Sequence, residues 1–199
     1  MKSKEVHTEK KIKDVFLELY KDNPLDKISI KKLSELADIN RGTFYLHYLN
    51  LDDLITSIED EQLQAISSLN YKYHNYYFSK TTEGFSEFFI PTFKYIEKNK
   101  YIFKSLCGPN SRPRFRMEFQ KLMHENMSTR FSKIKSYKLS EDFIKIDSVI
   151  EFTISGSVGL IITWLNSDTH QSPEELARLI AFMVLNGCFS CVENINKRV

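Results

Sequence analysis

The chain has 199 residues, 42% of them hydrophobic and 27% charged, which supplies a core and excludes a disordered chain. Six Gly and five Pro are too few for the turns of a β-sandwich or barrel, no run reaches about 18 uncharged apolar residues, and Met1-Lys2-Ser3-Lys4-Glu5 is charged rather than leader-like. An all-α, cytoplasmic protein with no membrane span is therefore expected, and its three Cys do not suggest a disulfide framework. The net charge of +2 lies in the first quarter, where residues 1–50 carry ten Lys or Arg against eight Asp or Glu. That excess is a weak pointer to nucleic acid.

Ile12, Val15, Phe16, Leu19 and Tyr20 fall on one face of a helix predicted over 10–22, which Asn23-Pro24 ends. Three helix starts follow closely. Ser29, Asn40 and Asn50 are good N-caps, and each has an apolar residue before it and another at the fourth helical position: Ile28 with Leu33, Ile39 with Phe44, Leu49 with Leu54. Helices this short are not stable alone and must pack on the first. Leu33, Leu36, Phe44 and Tyr48 are expected to form their small core. Asp38-Ile39-Asn40 is a tight turn between two of them, which makes a helix-turn-helix.

The second helix of that pair begins at Arg41. At 100° per residue Phe44 and Tyr48 point inward, Gly42, Thr43, Leu46 and His47 point outward, and Tyr45 lies on the flank. This outer face is small and hydrogen-bonding, with no acidic group to repel phosphate. Gly42 permits close approach to a backbone, Thr43 and Tyr45 can donate to phosphate oxygens, and Arg41 can reach a phosphate or a guanine edge. Lys31 and Lys32 fit either solvated charges or phosphate contacts.

The run from Ile28-Ser29-Ile30 through Leu36-Ala37-Asp38-Ile39-Asn40-Arg41-Gly42-Thr43-Phe44-Tyr45-Leu46-His47-Tyr48 to Leu51-Asp52-Asp53-Leu54 resembles the DNA-binding segment of the TetR/AcrR family of bacterial transcriptional regulators. The resemblance implies that the second and third helices form the reader and that the third enters the major groove. It implies a homodimer on an inverted repeat in double-stranded operator DNA. The implied contact residues are Ser29, Lys31, Arg41, Gly42, Thr43, Tyr45, Leu46, His47 and Asn50. The family's usual turn Gly is Asp38 here, which also tolerates the left-handed region. The family's frequent Lys at the start of the fourth helix is Leu51, whose helix N-terminus can still hold a phosphate.

Beyond residue 50 the pattern is helical throughout, with helices predicted over 51–69, 83–98, 101–107, 113–136, 140–166 and 173–193, about nine in all. The last is marked by Ser172, Pro173 and Glu175, a capping box with Pro at the first position. The expected organisation is a three-helix DNA-binding domain over 1–50 and a helical bundle over 51–199 for ligand binding and dimerisation. Aromatics crowd residues 71–103, and Phe85, Phe88, Phe89, Phe93 and Ile96 form one stripe. The stripe fits either core packing or the wall of an apolar pocket. The resemblance implies the pocket, with Phe85, Phe89, Phe93, Tyr101, Phe103 and Trp164 around a small hydrophobic or aromatic ligand.

Gly156 and Gly159 interrupt an apolar helix and allow close helix approach, in the core or across a dimer; the resemblance favours the dimer, with Cys188 beside them. Cys188 and Cys191 share a helix face without a second ligand pair, so packing rather than metal is expected. Arg112, Arg114 and Arg116 read as a solvated cluster. No paired His, P-loop or nucleophile elbow is present, so neither catalysis, metal nor cofactor is expected. The reading is a DNA-binding regulator, a repressor released by a small ligand. Its alternative is a regulator of the same type that works through a protein partner.

Overall fold

The computed structural model describes residues 2–72, 81–131, 146–167 and 171–189, and these form ten α-helices with no strand among them. The chain divides into two compact units, one of residues 1–64 with 101–116, the other of 65–100 with 117–199. This partition by compactness interleaves, whereas the division at residue 50 is one of role and is taken up below.

In the first unit, α1 (Lys2–Asp22) buries Ile12, Phe16, Leu17 and Tyr20. It packs on α2 (Ile30–Leu36), and α2 packs on α3 (Arg41–His47). All three expected caps form. Ser29 Oγ accepts from the Lys32 N–H, Asn40 Oδ1 from the Thr43 N–H and Asn50 Oδ1 from the Asp53 N–H, the last starting α4 (Leu51–Lys72). Asp53 returns a bond by accepting the Leu49 N–H at 2.9 Å. The Leu49 side chain is 79% exposed, so this carboxylate, rather than an apolar staple, fixes the entry to α4. Leu36, expected in the small core, is exposed as well; Leu33, Ala37, Phe44 and Tyr48 fill that space.

The turn after α2 is closed by Asp38 N–H to Glu35 C=O and Ile39 N–H to Ser34 C=O, the paired bonds of a Schellman motif. Its geometry requires a left-handed residue, and Asp38 has φ 48°. A β-branched residue there meets the steric cost of that region, about 1–2 kcal/mol. Asp38→Val is therefore expected to lower the melting temperature by roughly 2–8 °C, and Asp38→Gly not to lower it. The exposed Lys11 contact to Asp38 at 3.6 Å is worth little by comparison. Thermal denaturation followed by circular dichroism checks the pair, and equal melting of the two variants would contradict the strain.

The first unit also holds α7 (Lys100–Leu106) from Tyr101 onward and the first turn of α8 (Pro113–Phe131). In the second unit, Thr81 caps α5 (Thr82–Ser86), and a turn over 87–89 leads to α6 (Ile90–Lys98). The single helix expected over 83–98 is thus broken. Pro91 supplies the cause: its ring clashes with the carbonyl four residues earlier, at Glu87, and it donates no N–H. α10 (Pro173–Met183) starts with the expected capping box at Ser172 and Glu175 and packs on α5 and α6. It passes into a π-wound segment, Val184–Phe189, instead of continuing as α-helix. There the Asn186 amide donates to the Phe182 carbonyl at 2.9 Å, the acceptor an α-helical Asn186 N–H would use.

α9 (Ile146–Asn166) is the most apolar helix. By length and composition its window Ser148–Asn166 is apolar enough to cross a membrane, although it includes Glu151 and 39% of it is buried within the chain. Its Ser, Thr and Gly interrupt an apolar run without adding charge. The ends expected at 136, 140 and 193 lie outside the described residues, as do Cys191 and the side chain of Cys188.

Candidate nucleic-acid interface and apolar cavity

α3 presents one buried and one open face. Phe44 is fully buried and Tyr48 nearly so, while Arg41, Gly42, Tyr45 and Leu46 are exposed and Thr43 and His47 half-buried. Leu46 is 85% and Tyr45 55% exposed, a large apolar and aromatic exposure for a seven-residue helix. A Cβ on Gly42 would stand 3.1 Å from Asn40 Oδ1, the oxygen that caps the helix. Gly42 thus protects the cap as well as leaving the face low.

Beside this face is an open groove lined by Ser29, Lys31, Arg41, Tyr45, Asn50 and Leu51, with Ile28, Ile30 and Asp52 completing it. It gathers the capped start of α2, the start of α3 and the start of the 22-residue α4. Free backbone N–H groups, two cations and a tyrosine hydroxyl converge there, a combination suited to a phosphate backbone. Of the nine residues expected to contact DNA, five line the groove, Ser29, Lys31, Arg41, Tyr45 and Asn50, and the other four, Gly42, Thr43, Leu46 and His47, continue along α3.

The acidic Asp52 at this edge is held by Arg112, whose Nη1 donates to its Oδ1 at 2.7 Å. Arg112 also donates through Nε and Nη2 to both oxygens of Glu59 at 2.8 Å, and through Nη2 to the Thr56 hydroxyl. Arg114 adds bonds to Glu59 at 2.6 Å and Asp60 at 2.7 Å. Glu59 is 1% exposed. The Arg112 backbone N–H is received by the Tyr20 hydroxyl at 2.8 Å. Hydrogen bonding to Glu59 raises the pKa of both guanidinium groups. Arg112 and Arg114 are therefore partners of α4, a correction to the solvated cluster expected from sequence.

A second ionic cluster lies on α1 and α4, where Lys13 bonds Glu9 at 2.7 Å and also Glu61, and the Tyr48 hydroxyl donates to Glu9 at 3.3 Å. The Lys13 hydrogen bond holds the Glu9 carboxyl below the usual carboxylate range. Burial pushes the Tyr48 hydroxyl up to about 12, and so it stays a donor.

The second unit contains a narrow apolar cavity of about 30 Å³. Phe88, Phe89, Thr92 and Phe93 form one wall, Phe119, Met123, Asn126 and Met127 of α8 another, and Ile154, Ser157, Val158 and Ile161 of α9 a third, with Asn70 of α4 at the margin. Of the expected pocket residues, Phe89 and Phe93 are brought together here, with rings stacked at 5.8 Å. Phe85 is buried edge-on to Phe89 without lining the space. Trp164 is buried and donates its indole N–H to the Gln171 carbonyl at 2.8 Å. Tyr101 and Phe103 belong to the first unit, where Tyr101 donates to Glu18 at 2.9 Å and Phe103 packs on Phe115. The sequence reading missed the α8 and α9 walls and Asn70, whose positions along the chain give no local signal of their convergence.

Gly156 and Gly159 lie on the outer side of α9, where an added Cβ would meet no atom within 4 Å. Phe152 of the same helix and Leu179, Phe182 and Met183 of α10 are exposed apolar side chains. Among the described residues, therefore, the glycines do not serve close packing.

Residues 83–186 match the TetR-type family described as a transcriptional regulator C-terminal region. The chain is 18% identical over 172 residues to YxbF, an uncharacterised HTH-type transcriptional regulator of Bacillus subtilis (strain 168), a match covering 86% of this chain and 43% of the relative. The chain thus spans less than half the length of that curated relative. A TetR transcriptional regulator from Streptococcus agalactiae 2603V superposes with a TM-score of 0.65 at 20% identity, covering 92% of this chain and 96% of that one. The regulator FadR from Bacillus subtilis, solved in complex with stearoyl-CoA, superposes with a TM-score of 0.63 at 15% identity over 89% and 97% of the two chains. These structural likenesses show the fold, and the family match extends over more than half of the sequence. The chain belongs to the TetR/AcrR family of transcriptional regulators.

Proposed function

We propose that the chain binds an inverted repeat in duplex DNA as a homodimer, through α3 in the major groove, in the cytoplasm, and that it is a repressor released by a small apolar ligand. The observation that carries this is the exposed Tyr45 and Leu46 face of α3 beside a groove built from three helix starts. The working division by role is then a reader over 1–50 and a ligand-binding and dimerising remainder over 51–199. Ser29, Lys31, Arg41, Tyr45 and Asn50 hold the backbone at the groove, and Gly42, Thr43, Leu46 and His47 meet the groove floor of the DNA.

The ligand is supported by the apolar cavity, and the stearoyl-CoA carried by the Bacillus subtilis FadR structure has a long apolar acyl chain. The cavity is small, with room for about two water molecules, so a ligand must widen it. Met123 and Met127 in its wall are the flexible side chains suited to that. α4 carries the DNA-side cap Asn50 before its first turn and Asn70 near its last, and is the proposed link between ligand and operator. The exposed apolar side chains on α9 and on α10 would also suit a foreign protein partner. The two open glycines of α9 favour a second copy of the same helices.

Tyr45→Ala and Thr43→Ala are expected to leave the melting temperature unchanged, because neither side chain is buried, and each to weaken operator binding roughly ten-fold, about 1.4 kcal/mol. Arg41→Ala is expected to lower the salt slope of binding by about one charge. Gel-shift titration at several salt concentrations measures both. Unchanged affinity in the Tyr45 and Thr43 variants would contradict the docking.

A further inference from the structure

Asn70 is 3% exposed and lines the apolar cavity. Its Oδ1 accepts the Thr92 hydroxyl at 3.3 Å, and this orients the amide. Its Nδ2 has no hydrogen-bond partner among the described residues. The other polar liners are occupied differently: the Asn126 amide donates to the Leu122 carbonyl at 2.7 Å, and the Ser157 hydroxyl to the Thr153 carbonyl at 2.7 Å. A buried amide donor left unpaired is destabilising, and Leu has the same branched skeleton without that penalty. Among the described residues no Lys, Arg, His, Asp or Glu lines the space. An ionised ligand group placed there would lose its hydration without a counter-charge.

We propose that this cavity takes a neutral, mainly aromatic or apolar small molecule with one hydrogen-bond acceptor, such as a ketone, ester or lactone carbonyl, and that Asn70 Nδ2 reads that acceptor. The inference rests on the cavity being the ligand site of the proposed function and narrows the ligand's chemistry. Thr92 is a positioning residue: its hydroxyl holds the amide so that the N–H is the free end. The ring faces of Phe89 and Phe93 select a flat apolar body, and the amide selects among bodies of equal shape. A site that must hydrogen-bond its ligand rejects an isostere lacking the acceptor, because the buried donor then stays unpaired.

The test uses three probes of closely similar shape, acetophenone, cumene and benzoate, titrated into the protein by calorimetry. Acetophenone is expected to bind roughly ten-fold more tightly than cumene, and benzoate no more tightly than cumene. Asn70→Leu is expected to abolish the preference for acetophenone, retain cumene binding and raise the melting temperature of the unliganded protein. Thr92→Val is expected to reduce the same preference, and it remains informative if Asn70→Leu does not fold. Equal binding of acetophenone and cumene by the parent, tightest binding of benzoate, or an unchanged preference in the Asn70 variant would overturn the proposal, as would binding of none of the three at millimolar concentration. Operator release is scored in parallel. Cumene that releases operator with no preference for the ketone defeats only the acceptor reading, whereas ketone preference without release defeats only the release reading.

Discussion

A Gly156→Leu, Gly159→Leu double variant is expected to lose dimerisation and to bind operator at least a hundred-fold more weakly than the parent. Among the described residues neither position has an atom within 4 Å of an added Cβ, so the new side chains start into open space. Phe152, one turn before Gly156 on the same side of α9, is exposed as well, so the expected effect comes from what covers this side of the helix. If a second copy covers it, two bulky side chains at the point of closest helix approach cost about 1–3 kcal/mol each in overpacking. Losing one of two linked readers removes an avidity of roughly 10²–10⁴. Light scattering gives the mass and gel shift the affinity. A variant that stays dimeric with parental affinity would move the interface away from α9.

Arg112→Ala is expected to have the largest effect on stability. It removes three hydrogen bonds to Glu59 and Asp52 besides one to Thr56, and leaves Glu59, which is 1% exposed, with Arg114 alone. Breaking a buried pair from one side costs about 3–5 kcal/mol, and the remaining Arg114 bond places this variant near the lower figure. The exposed Asp52 arm contributes little of that. At about 3 kcal/mol the melting temperature falls by roughly 6–12 °C. Arg112→Lys should restore only a fraction, since an ammonium cannot span both Glu59 oxygens in the manner of a guanidinium fork. Urea denaturation at neutral pH measures the difference, and a loss below about 1 kcal/mol would show that Glu59 is satisfied without Arg112.

The contrast between these two sites shows what the sequence makes legible. Ser29, Asn40, Asn50 and Ser172 are readable because a cap acts on a donor three residues away, and Asp38 because a left-handed turn residue has few chemical options. Leu36 and Leu49 are apolar at plausible positions and still exposed, since short helices have more apolar residues than inward directions. The break before α6 was available in Pro91 but was outweighed by the aromatic stripe around it. The pairing of Glu59 with Arg112 and Arg114 spans more than fifty residues, and nothing local announces it. Asp52, Thr56 and Glu59 do recur at i, i+4 and i+7, a polar stripe that calls for a cationic partner without naming it. The cavity was half visible for the same reason: Phe89 and Phe93 share one helix, whereas Asn70, Phe119 and Ile161 meet them only through packing.

The central claim is that α3 reads duplex DNA, and selection of bound sequences from a pool of random duplexes, with parent and Tyr45→Ala protein in parallel, tests it most directly. The parent is expected to enrich one inverted repeat with half-site centres about 34–36 Å apart or a multiple of that, and Tyr45→Ala to enrich it weakly or not at all. Enrichment of no sequence by the parent, or of the same repeat with equal strength by Tyr45→Ala, would contradict the account.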